Sequence, residues 1–142
     1  MIAFDTNILV YAHRKDSPFH DAAKECVRYH AEGHEAWSIP WPCIHEFLSI
    51  VTHARIFRTP TPVALAMAQV EAWARSPRLV LLTEDDGYGE VLSRLVKGSK
   101  VHGPKIHDAR IGALAIFHDV VELLTADRDF SRFGELKVRN PL

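Results

Sequence analysis

The feature that most constrains this chain is a set of short, nearly uninterrupted apolar runs separated by helical patterns. Ile2-Ala3-Phe4, Leu79-Val80-Leu81-Leu82 and Val120-Val121-Glu122-Leu123-Leu124-Thr125 show no polar/apolar alternation. A strand built from such a run is covered on both faces. Ala36-Trp37-Ser38-Ile39 reads as a further strand closed by Pro40, and Leu136-Lys137-Val138 as a last edge strand. Covered strands alternating with helices imply a parallel sheet between two helical layers. The expected architecture is therefore a single α/β domain over 1–142, a three-layer α/β/α sandwich with a mainly parallel central sheet. At 142 residues such a domain buries roughly 68–70% of its unfolded surface and needs no disulfide or zinc staple.

The helices are read from capping and periodicity. Ser17-Pro18 supplies an N-cap and first turn, with Phe19, Ala22, Ala23, Cys26 and Val27 following and a stop near Gly33. Pro42 opens a helix whose stripe is Ile44, Phe47, Leu48 and Val51. The segment Arg58 to Pro62 is a linker, and Thr61 caps a helix to about Arg75 that Ser76-Pro77 breaks. A helix over Tyr88 to Val96 precedes a basic, glycine-containing loop from Lys97 to Lys105. The helix from Ile106 to about Phe117 is apolar almost all round, which marks it as sandwiched between other elements.

Composition removes several classes of function. Seventeen basic against eighteen acidic residues, a formal charge of −1, exclude a polybasic binder of nucleic acid or membrane at the level of the whole chain. Cys26 and Cys43 are too few for a disulfide framework, and each sits in an apolar helical pattern. No basic segment followed by an apolar one opens the chain, and no run approaches the ~18 apolar residues of a membrane span. The expectation is a cytoplasmic protein with no membrane association.

In an open parallel sheet, ligands bind beyond the carboxyl ends of the strands. Asp5 follows the first strand, Glu84, Asp85 and Asp86 the Leu79 strand, and Asp127 with Asp129 the Val120 strand. Asp108 starts the nearly all-apolar helix and Glu46 lies in the first turns of the Pro42 helix, off its apolar stripe. Each has an ordinary alternative. Asp5 suits a helix cap, Glu46 and Asp108 suit helix first turns, and Asp127 and Asp129 suit turn and cap positions. Glu84 to Asp86 reads as a solvated helix entrance. As a set the acids mean more, because carboxylates within ~4–6 Å of each other resist joint ionisation and persist with a cation. All-oxygen donors select hard ions such as Mg²⁺ or Mn²⁺, which bridge protein acids to phosphates. No HExxH zinc helix, GxGxxG or Walker A sequence is present. The histidines are read as surface or core-edge residues, with His45 and His107 on different faces of their helices.

The ordered set Asp5-Thr6-Asn7, Glu46, His107-Asp108-Ala109 and Thr125-Ala126-Asp127-Arg128-Asp129-Phe130 resembles the PIN-domain nucleases. More narrowly, it resembles the VapC-type toxins of bacterial toxin–antitoxin pairs, over essentially the whole chain. The resemblance implies a Mg²⁺- or Mn²⁺-dependent endoribonuclease that cleaves structured RNA such as transfer or ribosomal RNA. It also implies a homodimer and silencing by a cognate antitoxin. Its metal-binding and catalytic acids carry over to Asp5, Glu46, Asp108 and Asp127, with Asn7 and Thr125 supporting. Asp129 is expected to support the turn and stays open as an alternative fourth ligand. Asp5 and Asp108 are expected to hold one ion most directly, with Glu46 and Asp127 completing its shell or binding a second. An acid-lined cleft repels RNA unless basic residues surround it; Lys97, Lys100, Lys105 and Arg128 are the leading candidates, with Arg55 and Arg58 further off. A receiver-like signalling domain needs paired acids after the first strand, which Asp5 alone does not supply. A catalytically silent PIN fold serving as an RNA-binding or scaffolding module is the alternative.

Overall fold

Each apolar run becomes a strand, and every strand pairing is parallel. The computed structural model describes all residues, Met1–Leu142. The order is β1 (Ile2–Phe4), α1 (Thr6–His13), α2 (His20–Glu32), β2 (Trp37–Pro40), α3 (Trp41–Val51), α4 (Val63–Ala74), β3 (Leu79–Leu82), α5 (Tyr88–Ser99), α6 (Ile106–Phe117), β4 (Glu122–Leu124) and β5 (Val138–Arg139). Short 3₁₀ turns at Gly103–Lys105 and Arg128–Arg132 precede α6 and follow β4. The sheet runs β3-β2-β1-β4-β5. The chain thus starts at the centre, builds outward to β3, then crosses back past β1 to add β4 and β5. Between β1 and β4 the winding direction reverses, which is where a parallel sheet opens a crevice at its carboxyl edge.

Residues flanking that crevice are fixed by the core beneath it. Ala3, Phe4, Leu123 and Leu124 of β1 and β4 have no exposed surface, and Phe4 packs edge-on against Trp37 with ring centroids 5.9 Å apart. Register pairs Phe4 with Leu124, and Asp5 N–H donates to the Leu124 carbonyl at 3.0 Å. Asp5 and Thr125 therefore leave their strands side by side. Gly112 seats α6, since a Cβ there would meet the Phe133 ring at 3.2 Å and Leu95 at 3.4 Å. That close approach sets the height at which Asp108, one turn earlier, reaches the crevice.

Several boundaries differ from the sequence reading, each for a local reason. Ser17-Pro18 forms a turn in front of α2, because Ser17 Oγ accepts from Phe19 N–H and its carbonyl from His20 N–H. The Thr61 hydroxyl does not cap α4, which begins after Pro62 without a side-chain cap; it binds Arg14 and His13 at 3.2 and 3.1 Å. β3 is the outermost strand on its side of the sheet and Val80 is 39% exposed, so that run is half-covered. Gly98 does not stop α5: a helical glycine costs about 1 kcal/mol, and the chain reverses only at Lys100, whose φ is 58°. Lys97 is accordingly on a helix and not in the basic loop. β4 is shorter than its apolar run, with Val121 exposed, and β5 starts two residues later than Leu136. No helix is long and apolar enough to cross a membrane.

Candidate functional site

Asp5 stands in β geometry between β1 and α1 and caps that helix, its Oδ1 accepting Thr6 N–H at 2.7 Å. Capping and site membership, alternatives on sequence grounds, are here the same placement. Its other oxygen accepts Thr125 Oγ1–H at 2.6 Å and Asn7 Nδ2–H at 3.1 Å, and the Cys43 thiol lies 3.8 Å from Oδ1. All four donors are neutral, and Asp5 is 4% exposed. Burial pushes its pKa up to about 6 against the pull of Thr125 and Thr6, with Glu46 and Asp108 adding a little.

Asn7 ties the two strand ends together. Its amide N–H groups reach Asp5 and the Thr125 hydroxyl, and its carbonyl accepts Ala126 N–H at 3.1 Å. Thr125 Oγ1 also accepts Asp127 N–H at 3.0 Å. Glu46 arrives from the second turn of α3, where Thr6 Oγ1–H donates to it at 2.7 Å. Asp108 arrives from the first turn of α6. Burial raises its pKa, opposed by Lys105 and reinforced by Asp127 and Asp129. Asp5, Glu46, Asp108 and Asp127, together with Thr6, Asn7, Ile50, Ile111 and Phe130, line one cleft of roughly 200 Å³.

Asp127 and Asp129 separate. Asp127 faces the cleft and caps the 3₁₀ turn after β4 by accepting Asp129 N–H at 2.9 Å. The Asp129 side chain instead pairs with Lys105, which holds its carboxyl below the ordinary range. The turn is therefore supported by Asp127, not by the Asp129 side chain. Lys105 Nζ also lies 3.5 Å from Asp108 Oδ2, so this one of the expected basic residues is already occupied by acids. Lys97, Lys100 and Arg128 are exposed.

The donor set suits a hard divalent cation, being all oxygen and carrying a buried carboxylate with no cation of its own. No three His, Cys, Asp or Glu side chains converge tightly enough to hold an ion unaided.

Residues 2–136 match the family described as PIN domain. The chain belongs to the PIN-domain family. This PIN domain is 32% identical to Ribonuclease VapC33 of Mycobacterium tuberculosis over 142 residues, covering all of this chain and 99% of the relative. It is 30% identical to Ribonuclease VapC48 of the same organism over 138 residues, 97% and 95% of the two chains. Among solved structures, VapBC2 from Rickettsia felis bound to a promoter DNA fragment superposes with a TM-score of 0.73 at 19% identity, covering 99% of this chain and 98% of that one. VapC20 of Mycobacterium tuberculosis, a Sarcin-Ricin loop cleaving toxin, gives 0.67 at 21%, covering 99% and 100%.

Sequence reading of this PIN domain missed Thr6 and Cys43, which touch Glu46 and Asp5. Thr6 was legible as the residue between Asp5 and Asn7, whereas nothing local marks Cys43. It also separated His45 from His107. In the folded domain both line a second hollow of roughly 270 Å³ beside the first, with Pro42, Arg110 and the shared Glu46. Each precedes a cleft acid on its own helix, and the fold brings the starts of α3 and α6 to the same hollow.

Proposed function

We propose that this PIN domain is a VapC-type endoribonuclease toxin that hydrolyses phosphodiester bonds in structured RNA, of the transfer or ribosomal class, with Mg²⁺ or Mn²⁺. The observation that carries the reading is the convergence of four acids on one cleft, the most buried of them bonded only to neutral donors. Ribonuclease relatives of matching length support it.

Asp5 and Asp108 would hold the ion, with Glu46 and Asp127 completing its shell or holding a second. When bound, the ion supplies charge neutralisation at the phosphate oxygens and an acidified water. Thr125 and Asn7 keep both Asp5 oxygens oriented, and Thr6 does the same for Glu46, which is the outer-shell role that sets ligand direction. Lys97, Lys100 and Arg128 offset the repulsion between an acid-lined cleft and the RNA backbone. The solved toxin–antitoxin neighbours support a cognate antitoxin as partner. The exposed Val63, Leu65 and Met67 of α4 offer a surface for a homodimer. The site of action on RNA is the cytoplasm.

Cleavage of total bacterial RNA by purified protein with Mn²⁺, with ends mapped at nucleotide resolution, tests this. Discrete ends that require both Mn²⁺ and Asp5 are expected; their absence from folded, antitoxin-free protein overturns the reading. One observation favours a silent scaffold, namely that Lys105 already sits on Asp108. A scaffold shows no Mn²⁺-dependent stabilisation, whereas the nuclease shows one that Asp108→Asn removes.

A further inference from the structure

The hollow beside the acid cleft is walled by Pro42, His45, Glu46, His107 and Arg110, with no large apolar side chain among them. Such a lining does not suit an apolar ligand; it offers ring N–H groups and a guanidinium fork, the donors that bind phosphate and sugar oxygens. Glu46 belongs to both hollows, so whatever fills this one adjoins the acid cleft. Arg110 is paired with Glu84, but the two side chains are 41% and 40% exposed. An ion pair in that setting contributes little and yields readily to a competing anion. On α3, Trp41 stacks on His45 with centroids 5.9 Å apart and planes 28° from parallel, and Trp41 is 37% exposed. This aromatic pair continues the His45 wall toward solvent as a platform on which a base can lie.

Building on the nuclease reading above, we infer that this hollow is a nucleotide subsite for the RNA residue next to the scissile bond. Arg110 and His107 grip its phosphate, and Trp41 with His45 stacks its base. The occupant is a single-stranded or splayed-out nucleotide, because a base in a closed A-form helix cannot reach an aromatic face. The subsite both counters the repulsion of the four acids and selects where along the RNA the cut falls.

The test uses the full chain and a labelled RNA oligonucleotide spanning a site that the wild type cuts in total bacterial RNA. Arg110→Ala and His107→Ala are expected to raise KM roughly tenfold or more, as deletion of a charge-assisted contact does, while kcat changes by less than about threefold. The Mn²⁺-induced rise in Tm stays at the wild-type value in both, which separates a substrate contact from a metal ligand. Trp41→Ala is expected to relax base preference at a single position beside the cut, and Trp41→Phe to restore it. Unchanged KM in Arg110→Ala and His107→Ala, with wild-type cleavage intact, overturns the subsite and leaves the nuclease standing. Loss of the Mn²⁺ response in His107→Ala overturns it as well, by making that residue part of the metal site. A wild type that cuts no RNA removes the nuclease reading and the subsite together.

Discussion

Two buried carboxylates on neighbouring strands of the same sheet are treated in opposite ways. Glu122 opens β4 at the amino end of the sheet and Asp5 follows β1 at the carboxyl end; they are 7% and 4% exposed. Burial alone raises the pKa of either. Around Glu122 it is outweighed by Arg139 at 2.7 Å and Lys137 at 3.3 Å, which hold the carboxyl below its usual 4.5. Around Asp5 there are only neutral donors and other acids, and the pKa rises to about 6. The chain supplies counter-ions to Glu122 and none to Asp5, the most buried acid of the cleft. A buried carboxylate without a counter-ion, pushed toward its neutral form in a crevice, marks a candidate functional site.

Removing each acid breaks the comparison most directly. Asp5→Asn is expected to lower Mn²⁺-dependent RNA cleavage by more than the roughly 10–100-fold that an outer-shell substitution such as Thr125→Val costs. Glu122→Gln, by contrast, is expected to leave cleavage at the wild-type rate and to lower the free energy of urea unfolding by about 1–3 kcal/mol, through the lost charge-assisted bonds. An Asp5→Asn variant that cuts normally, or a Glu122→Gln variant that does not, would erase the distinction.

The pH dependence of stability sharpens it, because the two acids act with opposite sign. Asp5 binds its proton more tightly in the folded state, so its contribution is complete below pH 3.8 and is lost as pH rises through about 6. The loss is on the order of 3 kcal/mol. Glu122 binds its proton less tightly when folded, so its contribution is present above pH 4.5 and disappears as pH falls through its lowered native value. In thermal melts of metal-free protein, the decline in Tm between about pH 4 and 6 should vanish in Asp5→Asn. The decline on the acid side should flatten in Glu122→Gln. Saturating Mn²⁺ should offset the first decline and leave the second in place.

The smallest effect separates the two acids after β4. Asp127→Ala is expected to abolish most of the Mn²⁺-induced rise in Tm, whereas Asp129→Ala leaves it near the wild-type value, because the Asp129 side chain is spent on Lys105. Equal losses in the two variants would place both carboxylates on the ion.

Much of this was legible in the chain. Ile2–Phe4 and the Leu79 and Val120 runs announce covered strands because both faces must be apolar, and Asp5, Asp108 and Asp127 stand out because each follows or opens such an element. Glu46 is visible only as a polar residue off the apolar stripe of α3. The helix starts were less legible. Ser17 and Thr61 look like caps, yet Ser17 Oγ accepts the Phe19 N–H in a local turn ahead of the helix, and Thr61 Oγ1 is taken by Arg14 and His13. Capping chemistry is local, and distant partners such as those of Thr61 leave no trace in the neighbouring residues.

The sequence by itself determined the layered α/β class, the place of an acid directly after the first strand, and the acids that follow or open the other elements. These follow from hydrophobic pattern and turn chemistry, which act over a few residues. Only the tertiary structure decided which acids are neutralised and which are left bare, since Glu122 finds Arg139 across the β4–β5 pairing and Asp129 finds Lys105 across 24 positions of chain. It alone also brought His107 and His45 to one hollow. Electrostatic and hydrogen-bond partners are chosen by distance in space, and that distance is fixed by how the strands order and how closely α6 settles at Gly112.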